Sequence, residues 1–120
     1  MIKAEPIIEN IQVKLAIKSL NSMQHAAIKA AKENDEIILL SATGSGKTLA
    51  FLIPVLQSLD PSVKKIQALI LVPSRELALQ IEDVLKKIQT GYKITSCYGG
   101  HKREIEENNL VQPPAIIIAT

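Results

Sequence analysis

Within the run Ser41-Ala42-Thr43-Gly44-Ser45-Gly46-Lys47-Thr48, two glycines, a lysine and a threonine hydroxyl fall at the spacing of a phosphate-binding loop. The apolar Glu36-Ile37-Ile38-Leu39-Leu40 precedes it and Leu49-Ala50-Phe51-Leu52-Ile53 follows, so the order reads strand, glycine-rich turn, helix. That order has a chemical use. Gly44 and Gly46 lack a Cβ, so the backbone can curl and aim successive N–H groups at one anion. The helix opening beside Gly46 adds its positive N-terminal end. Lys47 brings a point charge to the β- and γ-phosphates of a nucleotide, and the Thr48 hydroxyl is placed to ligate Mg²⁺. The general pattern has glycine five residues before Gly46, and this chain has Ser41 there. The plainer alternative is a glycine-serine turn carrying a solvated lysine; the flanking strand and helix argue against it.

The elements that must position this loop follow from hydrophobic period. Residues 7–20 place Ile7, Ile11 and Leu15 at helical spacing, with Lys14 and Lys18 opposite. Asn21 or Ser22 caps a second helix over 23–32, with Met23, Ala27 and Ala31 on one face. A strand is expected at 37–40, then the loop, then a helix to about residue 56 that Pro54 must kink or deprive of a hydrogen bond. Asp60-Pro61-Ser62 is a turn. An apolar strand at 68–72, closed by Pro73, leads into a helix over 75–88 with Leu77, Ile81, Leu85 and Ile88 on its buried side, ended by Thr90-Gly91. A short strand at 93–98 is followed by Gly99-Gly100, a polar helix over 101–110, Pro113-Pro114, and a last strand at 115–119. Strands apolar on both faces, alternating with amphipathic helices, predict an α/β fold: a parallel sheet with helices on both faces.

Composition sets bounds. The 120 residues are 47% hydrophobic and 22% charged, ordinary for one globular domain with a modest core. A net charge of +2, with acids and lysines interspersed, does not by itself argue for nucleic acid. The single cysteine, Cys97, excludes an internal disulfide and suits a small hydrophobe in a strand. No apolar run approaches the length of a membrane span, and no signal-peptide core opens the chain, so a cytoplasmic location without membrane association is expected. No set of residues has metal-ligand spacing, so Mg²⁺ is expected to arrive with nucleotide.

Several short motifs in one order resemble the N-terminal RecA-like domain of the DEAD-box ATP-dependent RNA helicases of superfamily 2. Ala42-Thr43-Gly44-Ser45-Gly46-Lys47-Thr48 is similar to their motif I, and Leu49-Ala50-Phe51-Leu52-Ile53-Pro54 to its usual continuation. Pro73-Ser74-Arg75-Glu76-Leu77-Ala78 is similar to motif Ia, with serine for the common threonine. Gly99-Gly100 matches the paired glycines after the next strand, and Gln24 stands where the Q motif has its glutamine. The resemblance covers residues 7–120 and implies ATP and Mg²⁺ as cofactors. Thr43, Gly44, Ser45, Gly46, Lys47 and Thr48 would form the phosphate site, with Lys47 and Thr48 acting in catalysis. It also implies RNA as partner, held by Pro73, Ser74, Arg75, Glu76, Gly99 and Gly100.

A glutamine amide can read the adenine edge at N6 and N7; that role for Gln24 rests on the resemblance, and the alternative is a solvated surface glutamine. Ile7 stands where relatives carry a base-stacking aromatic, and the proline that often precedes the glutamine is replaced within Asn21-Ser22-Met23. Arg75 and Glu76 suit a phosphate contact or the capping and ion pairing of a helix end. His101, Lys102 and Arg103 suit extra phosphate contact or a solvated helix start, since Glu104, Glu106 and Glu107 follow.

The resemblance also implies what lies elsewhere. Hydrolysis needs a carboxylate on Mg²⁺ and a second group to orient water. In the family these belong to the Asp-Glu-Ala-Asp motif of Walker B, which this sequence does not contain. The chain is therefore expected to be the first part of such a domain, residues 1–34 a helical Q-motif region and 35–120 the phosphate-loop core, incomplete as a sheet and weakly hydrolytic alone. The strand at 37–40 would lie beside an empty slot, so self-association through unpaired edges is expected. Alternatives are another P-loop enzyme such as a kinase, a DNA helicase or translocase fragment, or a non-enzymatic RNA- or protein-binding fragment.

Overall fold

The computed structural model describes residues 4–98 and 111–120, so Gly99, Gly100 and the helix expected over 101–110 lie outside the described residues. The chain divides into two compact units, Lys3–Ser58 and Leu59–Thr120.

The first unit holds α1 (Ala4–Lys14), α2 (Ser22–Glu33) and α3 (Lys47–Ser58). The sequence read α1 as running to residue 20, but it ends at Lys14. Ala16 takes a left-handed φ of 55°, its N–H reaches the Val13 carbonyl, and the Ile17 N–H reaches the Gln12 carbonyl at 2.9 Å. This is the two-bond closure that normally recruits glycine. With alanine there, the stop left no mark in the sequence. Asn21 then caps α2 in extended conformation, its side chain accepting from the Gln24 N–H while the Gln24 side chain accepts from the Asn21 N–H. The two orphan donors are satisfied reciprocally.

Helix α3 buries Leu49, Ala50, Leu52, Ile53 and Leu56, and it packs against both α1 and α2. Each of the leucine and isoleucine side chains, fully buried, contributes about 1.5–3 kcal/mol. That burial lets α3 carry Pro54 inside it and still reach Ser58, although the proline removes one backbone donor.

Residues 37–40 form no strand, contrary to the sequence expectation. Ile38 and Leu40 are each 88% exposed. A strand exists only with a ladder partner, and among the described residues none pairs with this segment. Ile37 and Leu39 instead line an apolar recess with Ala27, Ala31, Ala50, Phe51 and Pro54.

The second unit holds β1 (Ala68–Leu71), α4 (Arg75–Ile88), β2 (Ile94–Cys97) and β3 (Ile116–Ala119) in a parallel sheet ordered β1-β3-β2. Asp60 opens the unit with the expected turn, its carboxylate accepting from the Ser62 N–H and hydroxyl. Those two bonds hold the carboxyl below its ordinary pKa. Helix α4 buries Ala78, Ile81, Leu85 and Ile88 and packs on β2 and β3. Three of these match the expected stripe, but Leu77 is only half-buried and Ala78, one position on, takes the buried place in the first turn. Ser96 on β2 donates to Glu82 at 2.7 Å, and Lys86 pairs with the same carboxylate at 2.8 Å, which raises the lysine pKa. Central β3 has Ile116 and Ile118 fully buried, whereas Leu69 and Leu71 on edge strand β1 remain 60% and 70% exposed. The register aligns Leu71, Cys97 and Ala119, so the three strands end level. Ligands of open parallel sheets collect at that carboxyl end. No helix of the described residues is long and apolar enough to cross a membrane.

Candidate functional site

The loop before α3 has the curled backbone its glycines allow. Gly44 sits at φ +80° and Gly46 at φ +92°, values an L side chain rarely adopts. The Ala42 carbonyl accepts from the Ser45 N–H at 3.2 Å and from the Ser45 hydroxyl, whose oxygen lies 2.9 Å from that of Ser41. Ser41, the departure from the general pattern, therefore closes the loop from the side rather than disturbing it. The Gly46 carbonyl accepts from the Ala50 N–H at 3.2 Å and starts the helix. The first N–H groups of α3 have no partner within the helix, and its first turn contains no acidic side chain to neutralise them. Thr43, Gly44 and Lys47 are exposed; Ser45, Gly46 and Thr48 are half-buried. A Cβ at Gly44 would meet nothing within 4 Å, so the loop is open on that side. The residues present fit a nucleotide phosphate with its Mg²⁺: a nest of amides, a helix start, an accessible lysine and a hydroxyl.

Two side-chain amides from the start of α2 grip this loop. Asn21 Nδ2 donates to the Ser45 carbonyl at 2.8 Å, and Gln24 Nε2 donates to the Gly46 carbonyl at 3.1 Å. An added Cβ at Gly46 would stand 2.6 Å from Gln24 Nε2 and 3.3 Å from Asn21 Nδ2, so anything larger there must push the Gln24 amide off the loop. Gln24 is 6% exposed, which excludes the surface-residue alternative. An amide has two N–H donors and two acceptor lone pairs. Gln24 uses one of each inside the protein, on the Asn21 N–H and the Gly46 carbonyl. Asn21 as a loop contact was missed from sequence, where the Asn-x-x-Gln spacing signals a helix cap and nothing more. Ile7 is 2% exposed, so it packs in the core and offers no face to a base.

In the second unit, Pro73, Ser74, Arg75 and Glu76 follow the end of β1. Ser74 is the N-cap of α4, extended at φ −143°, its hydroxyl oxygen accepting from the Leu77 N–H at 3.2 Å. Pro73, Arg75 and Glu76 are exposed and Ser74 is half-buried. Glu76 lies in the first helical turn, where its charge suits the helix end. The Arg75 guanidinium carbon stands 5.5 Å from the ring centroid of Tyr98, the residue after β2. Sequence reasoning passed over Tyr98, since a lone tyrosine at a strand end carries no spacing signal. Gly99, Gly100, His101, Lys102 and Arg103 lie outside the described residues.

The model of the DEAD/DEAH box helicases matches residues 21–120, from the α2 cap onward. The chain belongs to the DEAD/DEAH box helicase family. It is 37% identical over 120 residues to the DEAD-box ATP-dependent RNA helicase CshC of Bacillus cereus, covering 97% of this chain and 30% of that protein. It is 39% identical over 123 residues to the ATP-dependent DNA helicase DDX31 of Homo sapiens, covering 95% of this chain and 14% of that protein. The DEAD-box helicase Mss116, in a structure bound to ssRNA and UDP-BeF, matches with a TM-score of 0.82 at 30% identity, covering 100% of this chain and 28% of that one. The chain thus spans less than a third of these helicases. Its parallel sheet with helices is part of the RecA-like helicase core.

Proposed function

We propose that the chain is the ATP-binding portion of an ATP-dependent RNA helicase, in which ATP binding and hydrolysis are coupled to RNA binding and unwinding. The observation that carries this reading is the Gly44–Gly46 loop, open, free of acid in the turn that follows, and held from behind by Asn21 and Gln24. In this reading residues 43–48 hold the phosphates, Lys47 supplies positive charge and Thr48 is a ligand of Mg²⁺. The metal, when bound, neutralises phosphate charge during transfer. Gln24 reads adenine with its remaining donor and lone pair. Pro73, Ser74, Arg75 and Glu76, together with Gly99 and Gly100, grip the nucleic-acid backbone through amides and the guanidinium. Residues 1–34 thus supply the base contact and 35–120 the cradle and the RNA turn. RNA is supported by CshC, named as an RNA helicase, and by ssRNA on Mss116. DDX31, named as a DNA helicase, favours a second reading in which the same turn holds DNA.

Hydrolysis by these 120 residues alone is expected to be slow, because a carboxylate on the metal contributes orders of magnitude to the rate. A cytoplasmic setting fits the reading. The exposed Ile38 and Leu40 are apolar surface on a segment without a ladder partner among the described residues, and copies of the chain associate through it in this reading. Calorimetric titration with ATP and GTP, with and without Mg²⁺, tests the base contact. ATP is expected to bind about tenfold or more tighter, since guanine leaves the buried amide mispaired. Equal affinity removes the adenine role from Gln24.

A further inference from the structure

Arg75 and Tyr98 are 23 positions apart in sequence, yet the fold brings them together at the carboxyl end of the sheet. Arg75 opens α4 just past β1; Tyr98 follows Cys97, which is level with Ala119 and, across β3, with Leu71. The guanidinium carbon lies 5.5 Å from the ring centroid, inside the distance at which a ring quadrupole attracts a cation. Arg75 is exposed and Tyr98 half-buried, so the ring is the fixed partner and the guanidinium the mobile one.

We propose that Tyr98 is a positioning residue for nucleic-acid binding, its ring holding the Arg75 guanidinium ready for one backbone phosphate. The proposal rests on the reading of residues 73–76 as a nucleic-acid turn. A carboxylate partner would also restrain the arginine, but it would neutralise the charge and occupy the fork that phosphate needs. A ring face leaves the charge intact and takes none of the five N–H donors in hydrogen bonding. What it removes is rotamer freedom, which an unrestrained arginine must otherwise give up on binding. At an exposed site such a contact corresponds to about a two- to fivefold effect on affinity.

The test is fluorescence anisotropy of the intact protein with labelled single-stranded RNAs of differing sequence, across a salt series. Tyr98→Leu is expected to weaken binding about two- to fivefold on every sequence, and Tyr98→Phe, which keeps a ring, to stay within about twofold of wild type. Arg75→Ala should lower the log–log salt slope by about one, and the Arg75→Ala/Tyr98→Leu double variant should bind no more weakly than Arg75→Ala alone. Should Tyr98→Leu fold poorly, stepwise ring fluorination at position 98, which drains the ring face while keeping its shape, carries the test through a graded loss of affinity. Wild-type affinity in Tyr98→Leu, additive losses in the double variant, or no trend with fluorination would overturn the positioning role and leave the turn's RNA reading standing. Unchanged affinity and slope in Arg75→Ala would remove both.

Discussion

Gly46 answers three demands at once: a φ of +92°, the start of α3, and the approach of two amides from α2 to within 3.3 Å of where a Cβ would sit. Gly44 answers only the first, at φ +80° with open space around it. The two glycines, equivalent in the motif, should therefore separate under substitution. Gly44→Ala is expected to cost about 1 kcal/mol of backbone strain, and Gly46→Ala at least about 1–3 kcal/mol more, as Gln24 loses its place on the loop. Urea unfolding of the two variants measures the difference; equal losses would show that the clamp contributes nothing. The curled loop was legible because glycines at positions 44 and 46 permit its positive φ values. The clamp was less so. Gln24 announces a helix cap by its spacing from Asn21, but nothing in that spacing says both amides face the loop, because that contact depends on how α2 packs on α3.

At the scale of elements, α2, α4 and the three paired strands followed from period and punctuation. Two others did not. Helix α1 stops at a left-handed alanine, φ 55° at Ala16, and its apolar spacing continues past the stop. The segment 37–40 has strand composition but forms no ladder, since composition describes what a strand would bury and not whether a partner is there. Its exposed Ile38 and Leu40 are where the proposed self-association is tested. Light scattering on a sizing column is expected to show a mean mass rising with concentration for the wild type, and a lower, concentration-independent mass for Ile38→Lys, because a charge breaks up the exposed apolar surface. The same mass profile for both would contradict the proposed self-association.

The two compact units each hold one candidate site: a glycine-rich loop gripped by its neighbouring helix, and a level sheet end with an arginine seated over a tyrosine. Membership in the DEAD/DEAH box helicases connects them. The central claim, that residues 43–48 are a triphosphate cradle, is tested most directly by the equilibrium affinity of the chain for Mg·ATP beside that of Lys47→Ala. Lys47 is exposed and holds no structural place in the core, so the variant should fold as the wild type does. Loss of one charge-assisted contact should weaken binding about 10- to 100-fold. A folded Lys47→Ala chain that takes up Mg·ATP with wild-type affinity would contradict the account.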